Sequence, residues 1–171
     1  MQIRTADAGD YPGIRDLLNA AFGQPDEAKI VEALREDDAD SLELVAEDHG
    51  DIVGTVMFSP ASVGHASGET LNGLGLGPVA VIPKHQGKGI GEALIKAGLE
   101  HFEPYPVAFF CVLGEPEYYR RFGFTAAIER DWMWEADDGS VPEMRQAFQI
   151  IIPRAIPPGK GIVRYHPAFD G

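Results

Sequence analysis

The spacing of apolar residues along the chain changes period several times, and each change marks an element. Residues 2–6, QIRTA, fit a short strand. From about Asp7–Asp10 the period turns helical, with Tyr11, Ile14, Leu17, Leu18, Ala21 and Phe22 on one face. Pro12 is tolerated in the first turn of that helix, and Gly23 ends it. A second helix begins near Pro25, carries Ile30, Val31 and Leu34, and stops at the acidic EDDAD (36–40). SLELVAE (41–47) alternates as a half-buried strand, DHGD turns, and IVGTVMFSPASV (52–63) returns, which predicts a hairpin. After the loop GHASGET comes LGLGPVAVI (74–82), a strand with a bulge or bend near Gly77-Pro78, where a ladder hydrogen bond must be missing. Past a Gly-rich turn, Ile90, Ala93, Leu94, Ala97 and Leu99 lie close to a helical stripe. PYP (104–106) breaks that helix before VAFFCVL (107–113), an apolar run that reads as a buried strand. A short helix over roughly 116–122, a strand from FGFTAAI, a late strand RQAFQIIIP (145–153) and an extended tail GIVRYHPAFDG complete the chain. The order β-α-α-β-β-β-α-β-α-β-β predicts one mixed α/β domain over residues 1–171.

A chain of 171 residues with 44% hydrophobic content has enough apolar side chains for a real core, which argues against disorder. Its formal net charge of −13 argues against nonspecific nucleic-acid binding and suits a cationic substrate. The single cysteine, Cys111, allows no intramolecular disulfide and reads as a small core residue. Five scattered histidines and that cysteine offer no metal-ligand spacing. With a polar start, MQIRTADAGD, and no apolar run of membrane length, the expected setting is cytoplasmic, with no membrane partner.

The chemistry concentrates at PKHQGKGIGEAL (83–94), between a strand and a helix. The first turn of a helix leaves amide N–H groups unpaired and partly positive, so this junction is an anion site suited to phosphate. Lys84, Lys88 and Lys96 lie near it in sequence. The stretch fits neither a Walker loop, because Gly89 follows Gly87-Lys88, nor the dinucleotide fingerprint, because Glu92 stands where the last glycine belongs. What remains is Q-x-x-G-x-G, made by Gln86, Gly89 and Gly91.

This pattern resembles the pyrophosphate-binding loop of the GNAT superfamily of acyl-CoA-dependent N-acyltransferases. YYRRFGF (118–124) resembles the family's Tyr-x-x-x-Gly-Phe signature, with Tyr119 in the tyrosine place. VRYHPAF (163–169) and VLGEPEYYRRFGF (112–124) further resemble a branch of small bacterial predicted N-acetyltransferases. The resemblance implies a central, mostly antiparallel mixed sheet, flanked by helices and splayed between its fourth and fifth strands. It implies acetyl-CoA as cosubstrate, with no metal. The backbone of Val79, Ala80 and Val81 would pair with the pantetheine amides as an added strand does. Gln86, Gly87, Lys88, Gly89, Ile90 and Gly91 would hold the pyrophosphate, Gln86 by ordering the loop with its side chain. A primary amine, on a small molecule or a protein, would attack the thioester directly in a ternary complex. Tyr119 would be the general acid, since a phenol near pKa 10 is a competent donor to a thiolate near 8.5.

The chain departs from the family pattern in two places. LGEPE (113–117) fills the turn where many members carry an Asn, and LNGLGLGPVAV (71–81) lacks the carboxylate that many use as general base. Glu115, Glu117, Glu69, His65 and His166 are the remaining base candidates, beside attack by an already neutral amine. RDWMWEADDG (130–139) offers either an acidic, aromatic-walled mouth for an amine or a plain hairpin with one buried Trp face. A noncatalytic acyl-CoA-binding module of the same fold and an interaction domain without cofactor are the alternative functions. Monomer and homodimer both remain open.

Overall fold

A computed structural model of the chain describes residues 1–170. Its described residues fall into two compact units. The first comprises Met1–Ser59, Leu76–Tyr105 and the C-terminal residues from Pro167; the second comprises Pro60–Gly75 and Pro106–His166. Two long strands, β3 (Asp51–His65) and β4 (Thr70–Val81), contribute residues to both.

In the first unit, β1 (Gln2–Thr5) pairs antiparallel with β2 (Leu42–Asp48), which pairs antiparallel with β3. The expected hairpin is present, with a bulge between Ala46 and Glu47. Helices α1 (Tyr11–Phe22) and α2 (Asp26–Glu36) bury Ile14, Leu17, Leu18, Val31 and Leu34 in one cluster with Val45, Met57 and Ala80. Gly23 ends α1 in the left-handed region at φ 69°, as its place in the sequence predicts. Arg4 ties β1 to its surroundings, donating to Asp10 at 2.7 and 2.9 Å and to Glu47 at 3.0 Å. A last 3-10 turn, Pro167–Asp170, returns Ala168 and Phe169 to the α1–α2 cluster.

Helix α3 (Ile90–His101) packs closely on this sheet. Its buried face is Ile90, Leu94, Ile95 and Gly98, whereas the apolar stripe predicts Ala93, Ala97 and Leu99, which are only half-buried. The rotation follows from close approach. A methyl group at Gly98 would overlap the ring of fully buried Phe58, and one at Gly54 on β3 would come within 2.9 Å of Ile90 and 3.0 Å of Leu94.

In the second unit the strand order is β7 (Trp132–Trp134), β9 (Gly161–Tyr165), β3, β4, β5 (Phe110–Leu113), β8 (Phe148–Ile151), β6 (Thr125–Ala126). The β4–β5 ladder is parallel and has two rungs, Leu74↔Phe110 and Gly75↔Cys111. The sheet curls: Trp134 on β7 stacks with Phe148 on β8 at 6.5 Å, and Trp132 meets Phe109 edge-on at 5.4 Å. Phe109, Cys111, Trp132, Phe148, Ile150 and Val163 fill the interior.

Four local expectations change here. The fourth strand starts at Thr70, pairing back from the loop. The strand expected from FGFTAAI is only Thr125–Ala126, because a 3-10 turn takes Ala127–Arg130. Exposed Arg145 and Gln146 sit in a helical turn, α5 (Met144–Ala147), so the late strand begins at Phe148. The tail is not simply extended: it forms β9, which pairs antiparallel with β3 and parallel with β7, and the turn that follows it, while Gly171 lies outside the described residues. The RDWMWEADDG segment is therefore no local hairpin, since β7 finds its partner some thirty residues on.

Gly98→Ala should lower stability by about 1–3 kcal/mol, because overlap with Phe58 outweighs the roughly 1 kcal/mol that Ala gains over Gly in a helix. Gly64→Ala on exposed β3 backbone, with open space around the added methyl, is the control and should change the urea midpoint little.

Candidate functional site

The first unit carries the end of β4 and the glycine loop. At the end of β4, Ile82 N–H donates to Val53 O on β3 at 3.0 Å. By strand alternation the amide and carbonyl groups of Val81 and Val79 face away from β3. Ala80 is buried in the α1–α2 cluster, while Val79 and Val81 are half-buried. Gly77 adopts φ 139° and the Gly77-Pro78 bond is cis. Pro78 has no N–H to give, so this segment is irregular where the bend was expected.

The loop then turns on two glycines whose backbone demands them: Gly87 has φ 77° and Gly89 has φ 81°. Nothing lies within 4 Å of where a Cβ would stand on either residue, so both face open space. Gln86 braces the loop, its side-chain amide donating to Val81 O at 3.0 Å. That bond occupies the Val81 carbonyl and leaves the Val81 N–H and the Val79 amide groups as outward-facing strand positions. Gly89 caps α3, and the first helical bond runs from Ala93 N–H to Gly89 O at 3.0 Å. The amides of Ile90 and Gly91 lie ahead of that ladder, at the positive end of a 12-residue helix. The arrangement fits a pyrophosphate: exposed left-handed glycines, first-turn amides, and Lys88 within the loop. Lys96 is instead held by Glu92 at 2.8 Å on the helix surface.

The second unit carries Tyr119. Helix α4 (Pro116–Tyr119) is one turn with Pro in its first positions, and Tyr119 ends it 7% exposed. Its ring lies against Gly114, where a Cβ would overlap it, and meets Tyr118 at 5.0 Å and Phe124 at 5.8 Å, both nearly edge-on. Burial, and then neighbouring Tyr118, push the Tyr119 phenol up from 10.0 to about 12.

The base candidates are dispersed. Glu117 pairs with Arg120 at 3.0 Å on the surface, and Glu115 and Glu69 are exposed. His65 is buried at the far end of β3, where its Nδ1 accepts the Ser67 N–H at 3.1 Å and its ring meets Trp132 edge-on. His166 is half-buried just after β9. Among the described residues no group of three or more His, Cys, Asp or Glu could hold a metal ion. No described helix is long and apolar enough to cross a membrane. The two tryptophans divide: Trp132 is a core residue whose indole N–H donates to Gly159 O at 3.1 Å, and Trp134 is half-buried.

The acetyltransferase (GNAT) domain family matches residues 2–127, a span that holds both the glycine loop and the Tyr119–Phe124 signature. The chain belongs to the GNAT acetyltransferase family. It is 37% identical, over 99% of both chains, to a protein of Escherichia coli named as the uncharacterized N-acetyltransferase YhbS. The crystal structure of E. coli YhbS in complex with CoA superposes with a TM-score of 0.87 at 36% identity, covering 99% of this chain and 92% of that one. A GNAT acetyltransferase from Brucella melitensis in complex with acetyl-CoA gives 0.78 at 36% identity, over 99% and 97% of the two chains. The fold is thus the mixed GNAT fold that the element order and the two motifs predict.

Gln149 escapes the sequence reading. Gln149 is 2% exposed and its side-chain amide donates to Gly114 O and Ala147 O, both at 3.2 Å, bracing the turn under Tyr119. The visible signal was a lone amide inside the apolar run of RQAFQIIIP. Cys111 is fully buried as expected, and burial pushes its thiol up.

A phenol raised on folding makes the folded state bind a proton that the unfolded chain loses first. The stabilisation is complete below about pH 10 and declines as pH rises towards 12. The urea midpoint of the parent should therefore fall more steeply with alkaline pH than that of Tyr119→Phe. Parallel curves for the two proteins would mean that Tyr119 titrates as an exposed phenol does.

Proposed function

We propose that this GNAT acetyltransferase moves an acetyl group from acetyl-CoA to a primary amine by direct attack in a ternary complex. The observation that carries the reading is the loop at 86–91: two left-handed glycines facing open space, a bracing Gln86 and the first turn of α3. The likeness to proteins solved with CoA and acetyl-CoA supports it. Amides of Gly87 to Gly91 receive the pyrophosphate, Lys88 adds positive charge, and the outward groups of Val79 with the Val81 N–H receive the pantetheine arm.

The neutral amine nitrogen attacks the thioester carbon, and the C–S bond then breaks. Tyr119 gives its phenolic proton to the departing sulfur and recovers the one that nitrogen sheds, so no proton is gained or lost by the protein. Proton transfer demands that donor and acceptor be matched. In water a phenol at about 12 is poorly matched to a thiol near 8.5. Burial acts on thiols in the same direction as on phenols, as it does on the buried Cys111. A CoA thiolate shielded from water shifts in the same direction, which narrows the gap.

Free-thiol release should be followed with acetyl-CoA and a panel of acceptors: an alkyl diamine, an amino sugar, a lysine-containing peptide and a peptide with a free α-amine. With the acceptor that turns over, Tyr119→Phe should lower kcat by about 10²–10⁴-fold and change acetyl-CoA affinity far less. The parental rate should climb with amine deprotonation up to about pH 10, with no descending limb from Tyr119. Near-parental turnover of Tyr119→Phe at saturating acetyl-CoA would return this residue to packing, and no turnover with any amine would leave a binding module.

A further inference from the structure

One face of the sheet in the second unit is exposed where β7, β9 and β3 run side by side. Along β7, Trp132 is buried and Trp134 stacks on Phe148, so Met133 between them points outward. On β9, Gly161 and Val163 are buried, while Ile162 and Arg164 point outward, Ile162 being 45% exposed. On β3, Val63 is buried and Gly64 is exposed, with open space where its Cβ would stand. The ladders align three of these positions: Met133 lies opposite Ile162, and Ile162 opposite Gly64. A row of two large apolar side chains therefore ends in a hollow where a third is missing.

The charges around the row cancel. Arg164, next along the face, donates to Glu135 at 2.9 Å. Exposed Asp131 and Lys160 stand just ahead of the same two strands. Two acids and two bases make the patch locally neutral on a chain whose net charge is −13. Copies of so acidic a chain repel one another, and least where the approaching faces carry no net charge. A cationic partner would be drawn elsewhere on the surface, whereas an identical chain can approach here.

We propose that this face binds a second copy of the chain, the two sheets packing face to face about a two-fold axis that runs along β9. Because β9 lies between β7 and β3, that axis lays Ile162 on the Ile162 of the second copy and seats each Met133 over the opposite Gly64. Packed sheets stand about 10 Å apart, so a long, unbranched Met side chain reaches into a position that has none. A standard interface buries roughly 800 Å² per partner, and three short strands offer less, so the dimer forms and dissociates with concentration.

Sedimentation velocity of the full chain over a micromolar concentration series tests this. The parent should pass from monomer to dimer as concentration rises. Ile162→Glu sets two carboxylates against each other at the axis and should weaken the dimer by at least ~10-fold. Gly64→Met fills the hollow, Met133→Gly removes what enters it, and each should weaken the dimer too. The double variant Gly64→Met/Met133→Gly exchanges side chain and hollow, and should recover most of the parental affinity, which a folding defect cannot imitate. Far-UV circular dichroism should be parental throughout, since every substituted position lies on the outer face. A parent that stays monomeric up to about 1 mM would overturn the proposal. So would a dimer that Ile162→Glu leaves intact, or one lost in both single variants and not recovered in the double variant.

Discussion

Helix α3 can lie where it does only because two glycines remove side chains from its contact with β3. Gly98 gives its place to the Phe58 ring, and Gly54 gives its place to Ile90 and Leu94. The helix is thereby held at a fixed height over the sheet of the first unit. Its N-terminus then falls immediately after the end of β4, with just enough chain between for a 3-10 turn and the glycine loop. The positive end of the helix, the left-handed turns at Gly87 and Gly89 and the Gln86 bond to Val81 all depend on that placement. Van der Waals packing thus sets where the positive end of the helix and the glycine loop stand.

The second unit handles a different constraint, which is to keep a phenol buried and still protonated. Tyr119 sits on a one-turn helix too short to be stable alone. It is held by the ring seat at Gly114, by edge-on contacts with Tyr118 and Phe124, and by the Gln149 bonds beneath the turn. Burial raises both the Tyr119 phenol and the Cys111 thiol within this unit.

Legibility in the sequence tracked the range of the cause. The strand–loop–helix junction at 74–101 could be read locally, since Gly87 and Gly89 mark positive φ and Gln86 reaches back only five residues. Both helices before it, and the β2–β3 hairpin, follow from periodicity. The face of α3 was misjudged because a glycine that lets a ring approach does not register as apolar, so Gly98 and its neighbour Ile95 were left off the stripe. The parallel pairing of Trp132–Trp134 with Gly161–Val163 is set by partners far along the chain, and no local pattern announces it. Gln149 was missed for the same reason: it matters through a bond to Gly114, tens of positions away. Cys111 was correctly placed in the core, since an apolar run with one small thiol reads the same way locally and in the fold.

The proposed acetyl transfer requires that the loop amides of the first unit receive the anionic part of acetyl-CoA. Amide hydrogen exchange with and without saturating acetyl-CoA tests it directly. Exchange should slow at Gly87 to Gly91 and at Val79 and Val81, whose backbone groups face away from β3. Acetyl-CoA that binds while those amides exchange at their free rates would contradict the claim, and with it the reading of Gln86, Gly89 and Gly91 as a pyrophosphate loop.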